Sequence, residues 1–301
     1  MMKRVFFMLF LCAAAALSGS EKAVAQVANL DAEDLQKLRI YEDSLVATAD
    51  SMLQGVMPED RLESTYKFVQ QLKSALAVRN SFAYPFDSLG KHINIIAPED
   101  KAFRIFNWSV GADANTLRYY GAIQMPDAEL KLYGLNDQST AIQKGAMDSI
   151  LEGGRWFGAL YYRIMPVDVD GQKAYTLFGL NATNPLSNRK VLDLLWFSGK
   201  GPVFGGKVFG VRSPDTRQQA VRFVMEYKKS VVAALNFNPE MNAIYFDRLE
   251  SDANDPGRKY TYVPTGQYDG FRWQNGEWTF VQDLIPVTIL QDGQDPIGGR
   301  D

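Results

Sequence analysis

Between Trp156 and Asn181 two runs rich in aromatic and branched residues, WFGALYYRIMPV and AYTLFGLN, flank the dipeptide Asp170-Gly171. Side chains of these shapes fit a pleated surface, and Asp-Gly supplies the positive φ angles of a two-residue hairpin turn. The spacing therefore predicts a central β-hairpin. Each arm carries an aromatic-Gly-apolar step, Phe157-Gly158-Ala159 and Phe178-Gly179-Leu180, which recurs at Tyr120-Gly121-Ala122, Tyr133-Gly134-Leu135 and Phe209-Gly210-Val211. Glycine inside a strand marks a bend, a bulge or a close approach of backbone, with the neighbouring aromatic covering the gap. The expected fold is mainly β: a curved antiparallel meander, barrel-like or sandwich, with an N-terminal α-helical hairpin.

That hairpin is expected over residues 30 to 80. Leu35, Leu38, Tyr41, Leu45, Ala49 and Met52 recur at three-to-four spacing, with Asp31 as a cap and Gly55 as a stop. Pro58 opens a second helix whose apolar face reads Leu62, Tyr66, Val69, Leu72 and Leu76. Further on, the period shifts to two, giving strands at His92–Ala97, Ala102–Val110, Leu117–Met125, Leu130–Leu135, Val203–Val211, Val221–Tyr227, Val231–Phe237 and Ala243–Leu249. Lys190–Phe197 is ambiguous between helix and strand, and Ala141–Leu151 reads as a helix. Asn275-Gly276 between Phe271–Gln274 and Glu277–Val281 is a second hairpin turn. An outer-membrane barrel is the alternative architecture, but Arg163, Arg222 and Lys228 would interrupt its lipid-facing surface.

The chain begins Met1-Met2-Lys3-Arg4, continues with an apolar run from Val5 to Leu17, and reaches Ala23-Val24-Ala25 before Gln26. A basic start, a short apolar core and an A-x-A site are the pattern of a secretory signal peptide. Cleavage is expected between Ala25 and Gln26. This divides the chain into a signal peptide (1–25), a helical hairpin region (26–90) and an antiparallel β domain (91–301). Leu11 stands before Cys12, where lipoprotein processing needs a small residue, so no lipid anchor is expected. Cys12 is the only cysteine, so the mature chain is cysteine-free. The formal net charge of −3 becomes more acidic once Lys3, Arg4, Lys22 and Glu21 leave with the leader. That balance argues against nucleic acid as a partner, for which a basic stripe with interleaved aromatics is expected, and no second apolar run approaches membrane-spanning length. The reading is an exported protein of the periplasm, envelope surface or extracellular space.

Motifs that carry chemistry are weak. Gly201-Pro202-Val203-Phe204-Gly205-Gly206-Lys207 has the spacing of a phosphate loop, but Val208 stands where a magnesium-binding Ser or Thr belongs, and a strand rather than a helix follows. Ser64-Thr65-Tyr66-Lys67 fits a Ser-x-x-Lys pattern without its downstream partner. His92 is the only histidine, and no Gly-x-Ser-x-Gly elbow accompanies it, so its expected role is structural. Carboxylates are the plentiful groups. Asp168 with Asp170, and Asp247, Glu250, Asp252, Asn254 and Asp255, are the clusters, the second a weak calcium candidate: Asp252 begins a loop with Gly257 at its sixth place, but Pro256 and Val263 occupy ligand positions. No cofactor is expected, and no residue is assigned a catalytic role. Trp156, Tyr161, Tyr162, Trp273 and Trp278 are candidates for a ligand-binding aromatic platform.

The phrases Phe157-Gly158-Ala159-Leu160-Tyr161-Tyr162, Tyr175-Thr176-Leu177-Phe178-Gly179, Lys190-Val191-Leu192-Asp193, Ile244-Tyr245-Phe246-Asp247-Arg248-Leu249 and Tyr268-Asp269-Gly270-Phe271 resemble those of uncharacterised exported proteins of Bacteroidetes-type bacteria. The resemblance covers roughly residues 90 to 280 and implies envelope or secreted localisation. It also makes Ser44, Ser51, Ser88 and Ser149, each in an Asp-Ser-Leu, Asp-Ser-Met or Asp-Ser-Ile triplet, resemble O-glycosylation acceptors. The reading that follows is a non-enzymatic exported protein with a binding or structural role, its partner an envelope protein or glycan. The rival reading is a carboxylate-dependent enzyme acting on glycans.

Overall fold

The computed structural model describes residues 30–113, 116–142, 145–210 and 218–286. The leader and its expected cleavage at Ala25 and Gln26 lie outside the described residues. Two helices open the fold, α1 (Ala32–Gln54) and α2 (Pro58–Leu76). The Asp31 side chain accepts the Asp34 N–H at 2.8 Å, Gly55 closes α1 by donating to the Ser51 carbonyl, and Pro58 begins α2. The Arg61 guanidinium then ties the turn between the helices to the sheet, donating to the carbonyls of Gly55, Val56 and Gly111.

Among the described residues sixteen strands follow, in three sheets. The first sheet runs in order β1 (Asn94–Ile96), β2 (Arg104–Gly111), β3 (Leu117–Gln124), β4 (Leu132–Asp137) and β5 (Arg155–Trp156). The second places β6 (Leu160–Val169), β7 (Gln172–Asn181), β8 (Ser187–Ser198) and β12 (Phe223–Lys228) side by side, with β9 (Gly201–Phe204) also on β8. The third has the order β11 (Gln219–Ala220), β10 (Phe209–Gly210), β16 (Glu277–Ile285), β15 (Tyr262–Gln274), β14 (Ala243–Ser251) and β13 (Leu235–Asn238). Pairing is antiparallel except for two short parallel contacts, β4 with β5 and β10 with β16. The strands curl into a half-barrel, and none of the three sheets closes on itself.

Alternation of side chains along the strands stacks these layers. From β2, Phe106, Trp108 and Val110 pack with Leu38, Leu45, Phe68 and Leu72 of the helices, while Ile105 faces the other way. On that side Ile105, Tyr119 and Ile123 meet Tyr161, Tyr175, Leu177 and Val191 of the second sheet. The opposite face of the second sheet, through Phe178, Leu192 and Leu194, meets Ile244, Phe271 and Trp278 of the third. The second sheet is thus covered on both faces, which is why β7 reads as a nearly continuous apolar run.

Both predicted turns form. Asp170 and Gly171 have φ 52° and 84°, and Asn275 and Gly276 have φ 51° and 76°, the positive pairs of tight hairpins. Four of the five aromatic-Gly glycines sit at close approaches. A Cβ on Gly158 would collide with the Asp137 carboxylate, one on Gly179 would lie 2.9 Å from Ala159 Cβ, one on Gly121 3.2 Å from the Phe106 carbonyl, and one on Gly210 3.1 Å from the Trp278 carbonyl. None of the five has a positive φ, and Gly179 stands opposite the register shift between Tyr161 and Arg163, so close approach accounts for four of them and a bulge adds to one. Gly134 is the exception and faces open space.

Several expectations are corrected. Ala141–Leu151 is not an α-helix in its described residues. The Ala146 carbonyl accepts from Arg222 and the Met147 carbonyl from the Val221 N–H, while Leu151 pairs with Phe204, so acceptors that a helix would use are taken by distant partners. Lys190–Phe197 is strand, and Val203–Val211 breaks after Phe204, where Gly205 takes φ 102°. Residues 231–234 are loop rather than strand, because the Asp247 carboxylate and backbone hold Ala234 instead of a ladder. His92 ends a short 3-10 turn and does not begin a strand. The face of α2 is also rotated from the expected one: Thr65, Phe68, Leu72, Ala75 and Leu76 are buried, while Leu62, Tyr66 and Val69 are exposed.

Candidate functional site

The rotated face of α2 makes the wall of a cleft. Leu62, Tyr66, Val69 and Lys73 follow one another at three-to-four spacing, so they form one stripe beside the buried one. The floor is the helix-facing surface of the first sheet, where cross-strand register puts Trp108, Tyr120 and Asn136 on one row and Ala122 beside Gly134 on the next. The Tyr120 ring lies parallel on Trp108, with centroids 5.8 Å apart and planes 12° apart, and Phe68 meets Trp108 edge-on at 5.1 Å. The floor is therefore a rigid aromatic stack built from one helix and two strands.

Two compartments meet at Tyr120, Leu135 and Asn136. The larger, about 860 Å³, has a mixed lining, in which Thr116, Arg118, Asn136, Thr140, Thr183 and Asn184 stand beside apolar Leu62, Leu117, Leu135 and Pro185, with Tyr66 and Tyr120 as aromatics. The smaller, about 540 Å³, is lined by Val69, Leu72, Trp108, Ala122, Leu130 and Leu132, with Lys73 and Asn136 as polar members. A shallow extension of about 150 Å³ adds Pro58, Glu59 and Val110. Tyr66 is 65% exposed, so its ring is available to a ligand rather than to the core.

The two carboxylates of the larger compartment are already engaged. Asp137 accepts the backbone N–H groups of Ser139 at 2.7 Å, Gly158 at 3.1 Å and Tyr119 at 3.3 Å. Asp113 accepts the N–H and the hydroxyl of Thr116 at 2.8 and 2.6 Å. Burial raises the Tyr120 hydroxyl above its ordinary range and pushes Tyr119 up to about 12, so both phenols stay neutral donors at physiological pH. Such a surface can stack rings, donate from phenols, amides and guanidinium, and exclude water from an apolar segment. Asp113 and Asp137 do not make a pair of uncommitted carboxylates.

The residues singled out from the sequence fall elsewhere. Trp156, Tyr161 and Trp278 are core residues at 0%, 1% and 1% exposure, and so they do not form a surface platform. The reason is the double covering of the second sheet: Trp156 packs on Tyr161 and Phe204, and Trp278 donates from its indole to Thr176 Oγ1 at 2.9 Å across two sheets. Trp273 is half-buried against Trp278, and Tyr162 spends its hydroxyl on the Leu235 carbonyl at 2.7 Å while Lys190 sits over its ring. The calcium candidates do not converge. Asp247 is buried and accepts the Ala234 N–H, Asp252 pairs with Lys228, Asp255 pairs with Arg258, and Glu250 is exposed. Among the described residues no group of three or more acidic, histidine or cysteine side chains could hold a metal.

Ser44 and Ser51 lie exposed on α1, Ser88 is exposed before a 3-10 turn, and Ser149 is half-buried with its hydroxyl on the Gly145 carbonyl. His92 Nδ1 lies 3.1 Å from Asp50 on α1. Ser64 and Lys67 are on α2, and the glycine-rich run from Gly201 forms β9 and the turn after it. Asp193 and Arg222 form an ion pair at 2.7 Å, both side chains fully buried beneath Phe157. The sequence reading missed the cleft. Its signal was the excess width of the α2 apolar stripe, more than one buried face needs.

Among the described residues, no helix is long and apolar enough to cross a membrane. No protein-family model, no curated protein and no solved structure matches the chain.

Proposed function

We propose that this protein is an exported binding protein rather than an enzyme, and that its ligand lies in the cleft between α2 and strands β2 to β4. The observation that carries the reading is the parallel Tyr120–Trp108 stack, roofed by an exposed α2 stripe of Leu62, Tyr66 and Val69. Exposed apolar and aromatic residues gathered around one concavity mark a ligand or partner site. Against catalysis by carboxylates stands the engagement of Asp113 and Asp137. Placement outside the cytoplasm rests on the leader pattern of residues 1–25 and on the resemblance to exported proteins.

Trp108 is the natural reporter, because its indole forms the floor under Tyr120. Titration with soluble envelope glycans and peptides should shift its emission, the Trp108→Phe variant should lose the signal, and Tyr66→Ala should weaken binding while the melting temperature holds. If no member of either class perturbs Trp108, the cleft is not the site. Turnover of chromogenic glycosides by the purified mature chain would favour the enzymatic reading instead. Mass spectrometry of the exported protein should find Gln26 at its N-terminus.

A further inference from the structure

Resting on the cleft reading, we infer that the ligand is a single-tailed amphiphile: an uncharged, polyhydroxylated head seated over Tyr66 and Tyr120, joined to one hydrocarbon tail in the compartment lined by Val69, Trp108 and Leu132.

Two independent features of the cleft carry this. The first is the division of its lining. The larger compartment holds nearly all the hydroxyl and amide side chains, beside apolar Leu62, Leu117 and Pro185, whereas the smaller is apolar apart from Lys73 and Asn136, and both border Tyr120, Leu135 and Asn136. A wholly polar ligand would leave the second compartment unfilled, and a wholly apolar one would strand the donors and acceptors of the first. The compartments run along α2 from Leu62 to Lys73, about 16 Å at the helical rise, so one ligand with a head and a tail spans both.

The second is the sign of the charges. In the head compartment Arg118 stands against Asp113 and Asp137, so a charged head of either sign would meet repulsion as well as attraction. Neutral hydroxyls suit this mixture, since they donate to carboxylates and carbonyls and accept from guanidinium and amide groups. The exposed Tyr66 ring and the Tyr120 ring, held flat by Trp108 beneath it, offer the apolar face that a pyranose ring covers. The apolar compartment, about 540 Å³, holds one hydrocarbon tail, and the diacyl vesicles test that number.

Decyl maltoside below its micellar concentration, maltose, decyl phosphate and vesicles carrying a galactosyl diacylglycerol separate the alternatives, with Trp108 emission as the readout. Decyl maltoside is expected to bind at least about 100-fold more tightly than maltose, through burial of its tail. Val69→Glu, which places a carboxylate in the apolar compartment, should weaken decyl maltoside about tenfold and narrow its advantage over maltose. The introduced carboxylate would stand four residues before Lys73, an arrangement that favours the helix, so loss of binding there is not loss of folding. Equal affinity for maltose and decyl maltoside overturns the amphiphile but leaves the cleft reading standing. So does tighter binding of decyl phosphate, or binding to the vesicles without binding to the free glycoside. Silence of Trp108 towards all four probes overturns the amphiphile, and the cleft reading falls with it only if the envelope glycans and peptides leave Trp108 silent too.

Discussion

Replacing Gly158 by alanine tests the close-approach account of the aromatic-Gly steps. A Cβ there would collide with the Asp137 carboxylate, which is not free to swing away because Oδ1 accepts from Ser139 and Gly158 and Oδ2 from Tyr119. Hydrogen bonds to a charged group contribute about 1.5 to 3 kcal/mol each, and water recovers part of this at a half-buried site. Displacing the carboxylate from two of its three bonds should therefore cost about 2 to 4 kcal/mol. Gly134→Ala is the control, since it belongs to the same sequence motif but meets nothing within 4 Å. It should change stability by about 0.5 kcal/mol or less. Urea melts of Gly158→Ala, Asp137→Ala and the double variant complete the cycle. Asp137→Ala removes the obstacle, so Gly158→Ala should cost at least about 1 kcal/mol less in that background. An equal cost in both backgrounds would refute the collision as the cause.

The buried Asp193–Arg222 pair makes a second prediction: Arg222→Met leaves a carboxylate sealed without its counter-ion and should cost about 3 to 5 kcal/mol, whereas an apolar replacement of both partners should recover most of it. A loss under about 1 kcal/mol for Arg222→Met in a chemical melt would contradict the pair's isolation from water. The third concerns pH. Burial pushes the Asp100 carboxyl up, but the Lys173 ammonium at 2.6 Å, the Ala102 N–H and the Tyr175 hydroxyl outweigh it and hold the group below its ordinary range. A carboxyl lowered in the folded state adds stability above its unfolded pKa of about 3.9 and loses it as pH falls through the folded value. The parent should thus exceed Asp100→Asn in urea midpoint at about pH 6, with the gap closing towards about pH 2; a gap that is constant with pH would show that the ion pair contributes nothing.

Local chemistry was legible in the residues. The Asp31 cap, Pro58 at the start of α2, and the Asp170-Gly171 and Asn275-Gly276 turns all act over a few residues, and neighbours in sequence suffice to specify them. What required the folded chain were choices between distant partners. Arg222 and Val221 draw the backbone of Ala146 and Met147 out of the helix that their periodicity suggests. The division of the strands into three sheets depends on β12 joining β8 and on β10 meeting β16, pairings with no local signature. The cleft escaped notice for the same reason: Tyr66 and Tyr120 come from a helix and a strand, and apolar periodicity alone does not say which of two adjacent stripes turns to the core.

The contact between the first two sheets bears on how the chain melts. Asn94 donates to Asn107 Oδ1 at 2.5 Å and to the Tyr161 carbonyl at 2.6 Å, Asn107 donates to the Ala159 carbonyl at 2.8 Å, and Asn181 donates to the Gly158 carbonyl at 2.5 Å. Asn107 and Asn181 are fully enclosed, so these amides are satisfied only when the backbone of 158–161 is in place. Neither sheet is a self-sufficient unit: each supplies the acceptors, donors or apolar cover that the other lacks. Unfolding should therefore be shared, with the slowest-exchanging amides of β2 and β7 reporting one common opening free energy. A truncation between β5 and β6 would yield two fragments that dissolve poorly alone and regain protection only when mixed.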